Sequence, residues 1–247
     1  MRTLWLVFLN GLVLFSPWSQ ADDSPTVVAV VAAMHGFHRD HPSYSYQQLY
    51  DYIASLQPDS VGVEIRSEDM AADKSYLAKN YPAEMIELAG RYGQRAFGFD
   101  WLGNAIAGQP IPADYWQHLE VKKLERQLAK DASFQSSRPV LLEKLQQQQM
   151  ALLQSATAEL FPVEQYGQLT RRIDKLYADW LEHSPYGAIE AFNRERDRQI
   201  AENIIAFVSQ HPGQRIVLVM GADHQTFAIE ALEKHFGDSI EWLSPRP

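Results

Sequence analysis

VVAVVAAMH at residues 27–35 and RIVLVMGADH at residues 215–224 decide the fold. Each is a near-continuous apolar run rich in β-branched residues, the composition of a parallel strand covered on both faces. Each breaks into polar sequence at a histidine. Ligands of open α/β sheets lie outside the carboxyl ends of the strands, so His35 and His224 stand where a site is expected. Gly221 lets the second run turn sharply, and Ala32 takes the equivalent position in the first.

Working outward, Leu49, Tyr52, Ile53 and Leu56 recur at helical spacing over residues 46–56. SVGVEI at residues 60–65 is a second buried strand that carries Glu64. Strand, helix and strand read as a right-handed crossover unit. Residues 82–92 predict another amphipathic helix, and residues 95–99 a short third strand closing on Asp100. From about residue 112 to 183 the sequence turns to long charged and glutamine-rich helix, bounded by Gly103, Gly108 and Pro110 on one side and by Pro185 and Gly187 on the other. This block is expected to be a helical insertion that caps the sheet, its aromatic residues being helix packing. Residues 188–210 predict one helix stopped by His211-Pro212-Gly213, followed by a strand at 216–220, a helix at 226–235 and a terminal strand at 239–243. The expected fold is α/β: a mainly parallel sheet flanked by helices, forming a single domain over residues 22–247.

Residues 1–21 have the three parts of a signal peptide: Arg2, an apolar stretch from Leu4 to Phe15, and the small-x-small sequence Ser19-Gln20-Ala21. Cleavage after Ala21 is expected, giving a periplasmic or secreted protein. The apolar stretch is shorter than the roughly 20 residues of a membrane-spanning helix, and no later segment is long and apolar enough, so the mature chain is expected to lack a transmembrane segment. The net charge of −9 argues against a phosphate-backbone surface and hence against nucleic acid as a partner. With no cysteine, disulfides and thiol nucleophiles are excluded. The chain also has no phosphate-binding glycine loop, no Gly-x-Ser-x-Gly elbow and no His-Glu-x-x-His helix.

The candidate chemistry follows from residue type and placement. A carboxylate at Glu64, between Val63 and Ile65, needs a cation, a proton or a metal if it is buried. Its plainer reading is a salt bridge to Arg66 or another arginine. Glu64 with His35 and His224 would also satisfy a divalent ion, with an open position for an acidified water. Arg196 and Asp197 lie four and three residues before the apolar Ile200, with Ile204 a further turn on, which puts Arg196 near the inner side of its helix and suits it to an oxyanion or carboxylate clamp. Asp100, at the third strand tip, is a candidate substrate-binding carboxylate. His38 and His41 complete a His-x-x-His-x-x-His series with His35, but Gly36 and Pro42 predict a loop, and the two are read as surface loop histidines.

These pieces resemble the TraB/GumN/TIKI family and its wider superfamily, which includes erythromycin esterase and the haem-binding ChaN proteins. The likeness rests on His35 after the first strand, Glu64 in the second, Arg196-Asp197-x-x-Ile200-Ala201-x-x-Ile204, and Gly221-Ala222-Asp223-His224. Ala32 stands where that pattern has glycine, and Asp197 where it has asparagine. The resemblance implies functional positions at His35, Glu64, Arg196, Asp197 and His224, with Asp197 joining Asp100 as a candidate for substrate binding. It implies an exported, metal-dependent hydrolase of a peptide or ester bond, its ion held by His35, Glu64 and His224. Relatives that only bind ligands imply the alternative, a non-catalytic binding protein for haem, a peptide signal or another small molecule.

Overall fold

The computed structural model describes residues 24–243. The signal peptide expected at residues 1–21 lies outside them. Five parallel strands form the sheet: β1 (Thr26–Ala33), β2 (Ser60–Arg66), β3 (Ala96–Asp100), β4 (Arg215–Gly221) and β5 (Ile240–Trp242), in the order β3-β2-β4-β1-β5. The α/β architecture read from the apolar runs is therefore the one observed. The crossover from β1 to β2 does not join neighbours, however, because β4 lies between them. An apolar run reports burial on both faces and does not name its partner strand, so this insertion was not visible in the sequence.

That order creates the site. The chain leaves β1 toward β2 on one side and leaves β4 toward β5 on the other, so the adjacent carboxyl ends of β1 and β4 form the topological switch point of the sheet. Their register pairs Ala33 with Gly221, which brings both exits to the same level.

Helices cover both faces. On one, α1 (Tyr46–Ser55) and α3 (Ala83–Tyr92) set Leu49, Ile53, Met85 and Leu88 against Val61, Val63, Val217 and Val219. On the other, α9 (Gly187–Gln210) and α10 (Ala222–Phe236) set Ile200, Ile204, Val208 and Leu232 against Val28, Ile216, Leu218 and Met220. Each fully buried aliphatic side chain of this sandwich contributes about 1.5–3 kcal/mol. Ser45 opens α1 with a capping box closed by Gln48. A short helix that the sequence reading passed over, α2 (Lys74–Asn80), precedes α3 and is capped by Asp73.

The predicted cap is present as α4 (Tyr115–His118), α5 (Glu120–Lys130), α6 (Ala132–Gln135), α7 (Val140–Ser155) and α8 (Val163–Leu181). It has an apolar centre of its own around Leu142, Leu145 and Ile173, and shares another, around Leu128, Leu181 and Ile189, with the start of α9. Polar ties fasten it near the switch point. His41 donates to Leu153 O (2.9 Å), Ser43 Oγ donates to Ala156 O (3.0 Å), and Tyr166 donates to Asp223 (2.7 Å). Among the described residues no helix is long and apolar enough to cross a membrane.

Candidate functional site

The turn after β1 is a 3₁₀ segment, His35–Arg39, rather than an open loop. His38 is fully buried inside it and is not a surface histidine. Its Nε2 accepts from Met34 N (2.8 Å) and its Nδ1–H donates to Tyr44 O (2.6 Å), so both ring nitrogens are spent on backbone and close the turn. Burial lowers its pKa, in keeping with a neutral structural imidazole. With His38 as its pin, the turn holds His35 at φ 50°, a left-handed conformation uncommon for a non-glycine residue.

His224 lies in the first turn of α10, which begins at Ala222, four residues before the sequence pattern suggested. Gly221 is the last residue of β4 and has φ −53°, so its conformation does not demand glycine. Space does. A Cβ at this position would come within 2.7 Å of His35 Nε2 and 3.4 Å of Glu64 Oε2. Gly221 also donates its N–H to Glu64 Oε2 (2.8 Å).

Glu64 sits at the centre, 5% exposed. Its Oε1 accepts from Arg196 Nη2 (2.6 Å). Burial alone would raise its pKa, but His224, Arg196, His35 and the Gly221 amide overcome that and hold the carboxyl down to about 2. The salt bridge to Arg66 or another arginine that the sequence allowed is made by Arg196 and not by Arg66. A bulge between Val63 and Arg66 turns that guanidinium away, and it pairs with Asp69 (2.7 Å) and the Ile106 carbonyl (2.8 Å) in a separate buried network.

Arg196 reaches in from α9, which Asn203 fastens to β3 through the Phe99 carbonyl (3.0 Å). Besides Glu64, its Nε donates to Asp100 Oδ1 (2.9 Å) and its Nη1 lies 3.3 Å from His224 Nε2. Asp100 is buried, which raises its pKa against the opposing pull of Arg196. One guanidinium thus compensates two buried carboxylates, the condition under which such charges are tolerated.

Both histidines are held by a carboxylate at Nδ1 and turn Nε2 toward the centre. His224 Nδ1–H donates to Asp197 Oδ1 (2.6 Å), with Nε2 3.6 Å from Glu64 Oε1. His35 Nδ1–H donates to Glu84 Oε1 (2.6 Å), with Nε2 3.9 Å from Glu64 Oε2. For each ring burial lowers the pKa, yet the surrounding carboxylates outweigh it and the net shift is upward. His224 has two alternatives. Neutral, its Nε2 accepts from Arg196; protonated, it faces Glu64 instead. His35 is the more open ring, its side chain 40% exposed.

All six residues singled out in the sequence therefore converge: His35, Glu64, Asp100, Arg196, Asp197 and His224. Asp100 and Asp197, read as candidate substrate contacts, are engaged with Arg196 and His224. Glu84 was missed. It is fully buried on α3, its Oε2 has no hydrogen-bond partner, and His35 is the group its Oε1 holds. The available signal was its place one turn before Leu88 on the buried face of the helix, where a carboxylate is out of character.

The donor set does not fit a divalent ion. Among the described residues no group of three or more His, Asp or Glu is arranged to hold one. The physical obstacle is Arg196, whose fixed positive charge already occupies Glu64 Oε1 and lies against His224 Nε2. No protein family, curated protein or solved structure matches the chain.

Proposed function

We propose that this protein is a hydrolase of peptide or ester bonds in which His35 and His224 do the acid–base work around Glu64 and Arg196. The observation that carries this reading is the pair of carboxylate-held imidazoles whose Nε2 atoms face one buried Arg–Glu pair at the switch point of the sheet. The order of these residues along the chain also supports kinship with the TraB/GumN/TIKI family. The leader-like residues 1–21 support export to a periplasm or the exterior.

In the reaction, His35 Nε2 takes a proton from a water as the water oxygen attacks the scissile carbonyl. Glu84 fixes the tautomer that leaves Nε2 free to accept it. Negative charge developing on the carbonyl oxygen is met by the Arg196 guanidinium, which Glu64 and Asp100 hold in place. His224 gives its Nε2 proton to the leaving nitrogen or oxygen as the carbon–heteroatom bond breaks. Net transfer of one proton from His35 to His224 through solvent restores the starting state. Asp197 keeps His224 oriented, and Glu64 favours its protonated form.

The test is hydrolysis of p-nitrophenyl esters and of a mixed peptide library by the purified chain. His35→Ala and His224→Ala are each expected to lower kcat by about 10²–10⁴-fold, the usual worth of a positioned acid or base. Undiminished turnover by the double variant would remove this reading.

A further inference from the structure

Beside His35 the surface opens into a cleft of about 650 Å³ between the 3₁₀ turn and the cap. Met34, Phe37 and Pro42 supply its apolar wall, and Gln154 from α7 its far edge. Phe37 is 56% exposed, a large aromatic held in water at the edge of a catalytic cluster. Gly36 leaves the floor open, since a Cβ there would meet nothing within 4 Å.

We propose that this cleft is the specificity subsite of the enzyme and takes the bulky apolar side chain of a residue flanking the scissile bond; this rests on the hydrolase reading above. Three observations select that occupant. His35 is itself a lining residue, so a group seated in the cleft abuts the imidazole that activates water. The wall is chiefly hydrocarbon, so the free energy of binding comes from removing apolar surface from water. The polar groups present do not suit an anion: Asp40 is a carboxylate, and His41 spends its Nε2–H on the Leu153 carbonyl. The preferred side chain is therefore apolar rather than anionic, as in leucine or phenylalanine.

The ties from His41 and Ser43 to the end of α7 give the cap a stated task. They fix the far wall of the cleft relative to His35.

The experiment compares N-acetyl-phenylalaninamide with N-acetyl-glycinamide on the whole chain, by saturation-transfer NMR for binding and by turnover of the matching p-nitrophenyl esters. The phenylalanine compound is expected to bind about tenfold more tightly, the worth of burying some 50–60 Å² of apolar surface. Gly36→Leu, which fills the cleft, and Phe37→Ala, which removes its wall, should each bring the phenylalanine-over-glycine ratio, in binding and in kcat/KM, down to about one. Equal binding of the two compounds, or a preference that survives both variants, would overturn the subsite. Preferential binding without turnover of either ester would keep the subsite and count against the hydrolase instead.

Discussion

Replacing Gly221 by alanine isolates the geometry of the site from the stability of the fold. At φ −53° and ψ 138° the backbone suits alanine, and the N–H that serves Glu64 is retained. Loss of glycine entropy in the unfolded chain should stabilise the protein by about 0.4–1 kcal/mol. The new methyl, however, would lie 2.7 Å from His35 Nε2, against 3.4 Å for ordinary contact, so the ring must retreat by about 0.7 Å. It can do so because it is the free end of a partly exposed side chain, but the 2.6 Å bond to Glu84 is lost or bent. Misplacement of a reacting group by about 1 Å costs on the order of 10²-fold, so kcat/KM should fall between about tenfold and a hundredfold. Thermal melts, ester hydrolysis and the His35 ring resonances by NMR read the three effects separately. A variant with unmoved His35 resonances and turnover close to that of the parent would refute the argument that glycine is needed for space.

Arg196→Met strips two buried carboxylates of their cation and should destabilise the chain by about 3–5 kcal/mol in urea unfolding. Adding Glu64→Gln and Asp100→Asn to that variant should recover most of the stability and none of the activity. Because the folded-state pKa values of His35 and His224 are raised, their contribution to stability is fully present below the ordinary imidazole value of 6.5 and is lost as pH rises through the raised values. Urea midpoints should accordingly fall on the alkaline side, with a shallower fall in His224→Ala. Glu64 acts at the other end, where its contribution is complete above the ordinary carboxylate value of 4.5 and disappears as pH drops toward about 2. Finally, chelator treatment should leave turnover unchanged and elemental analysis should find substoichiometric metal. Stoichiometric metal, lost together with activity, would restore the ion-centred chemistry that the position of Arg196 argues against.

The two apolar runs made the sheet and the site legible, since strands buried on both faces can end only at the rim where ligands bind. Strand order was less so: β1 and β2 share a crossover, and only the fold reveals β4 between them. α2 went unread because its seven residues bury little besides Leu77. Glu84 was hidden by its position in a first helical turn, where a carboxylate is ordinarily explained by the helix dipole. His38 looked like a polar loop residue because its partners are backbone groups, which leave no trace in side-chain composition. The placement of Arg196 was readable from its spacing to Ile200 and Ile204, whereas its role as shared counter-ion of Glu64 and Asp100 required three segments to be seen together.

The pairing of Ala33 with Gly221 joins segments that lie far apart along the chain. A ribosome must pass residue 224 before the second imidazole can meet the first. Long-range closure of this kind slows folding, and it also means that products ending before residue 224 would carry only one of the two facing imidazoles.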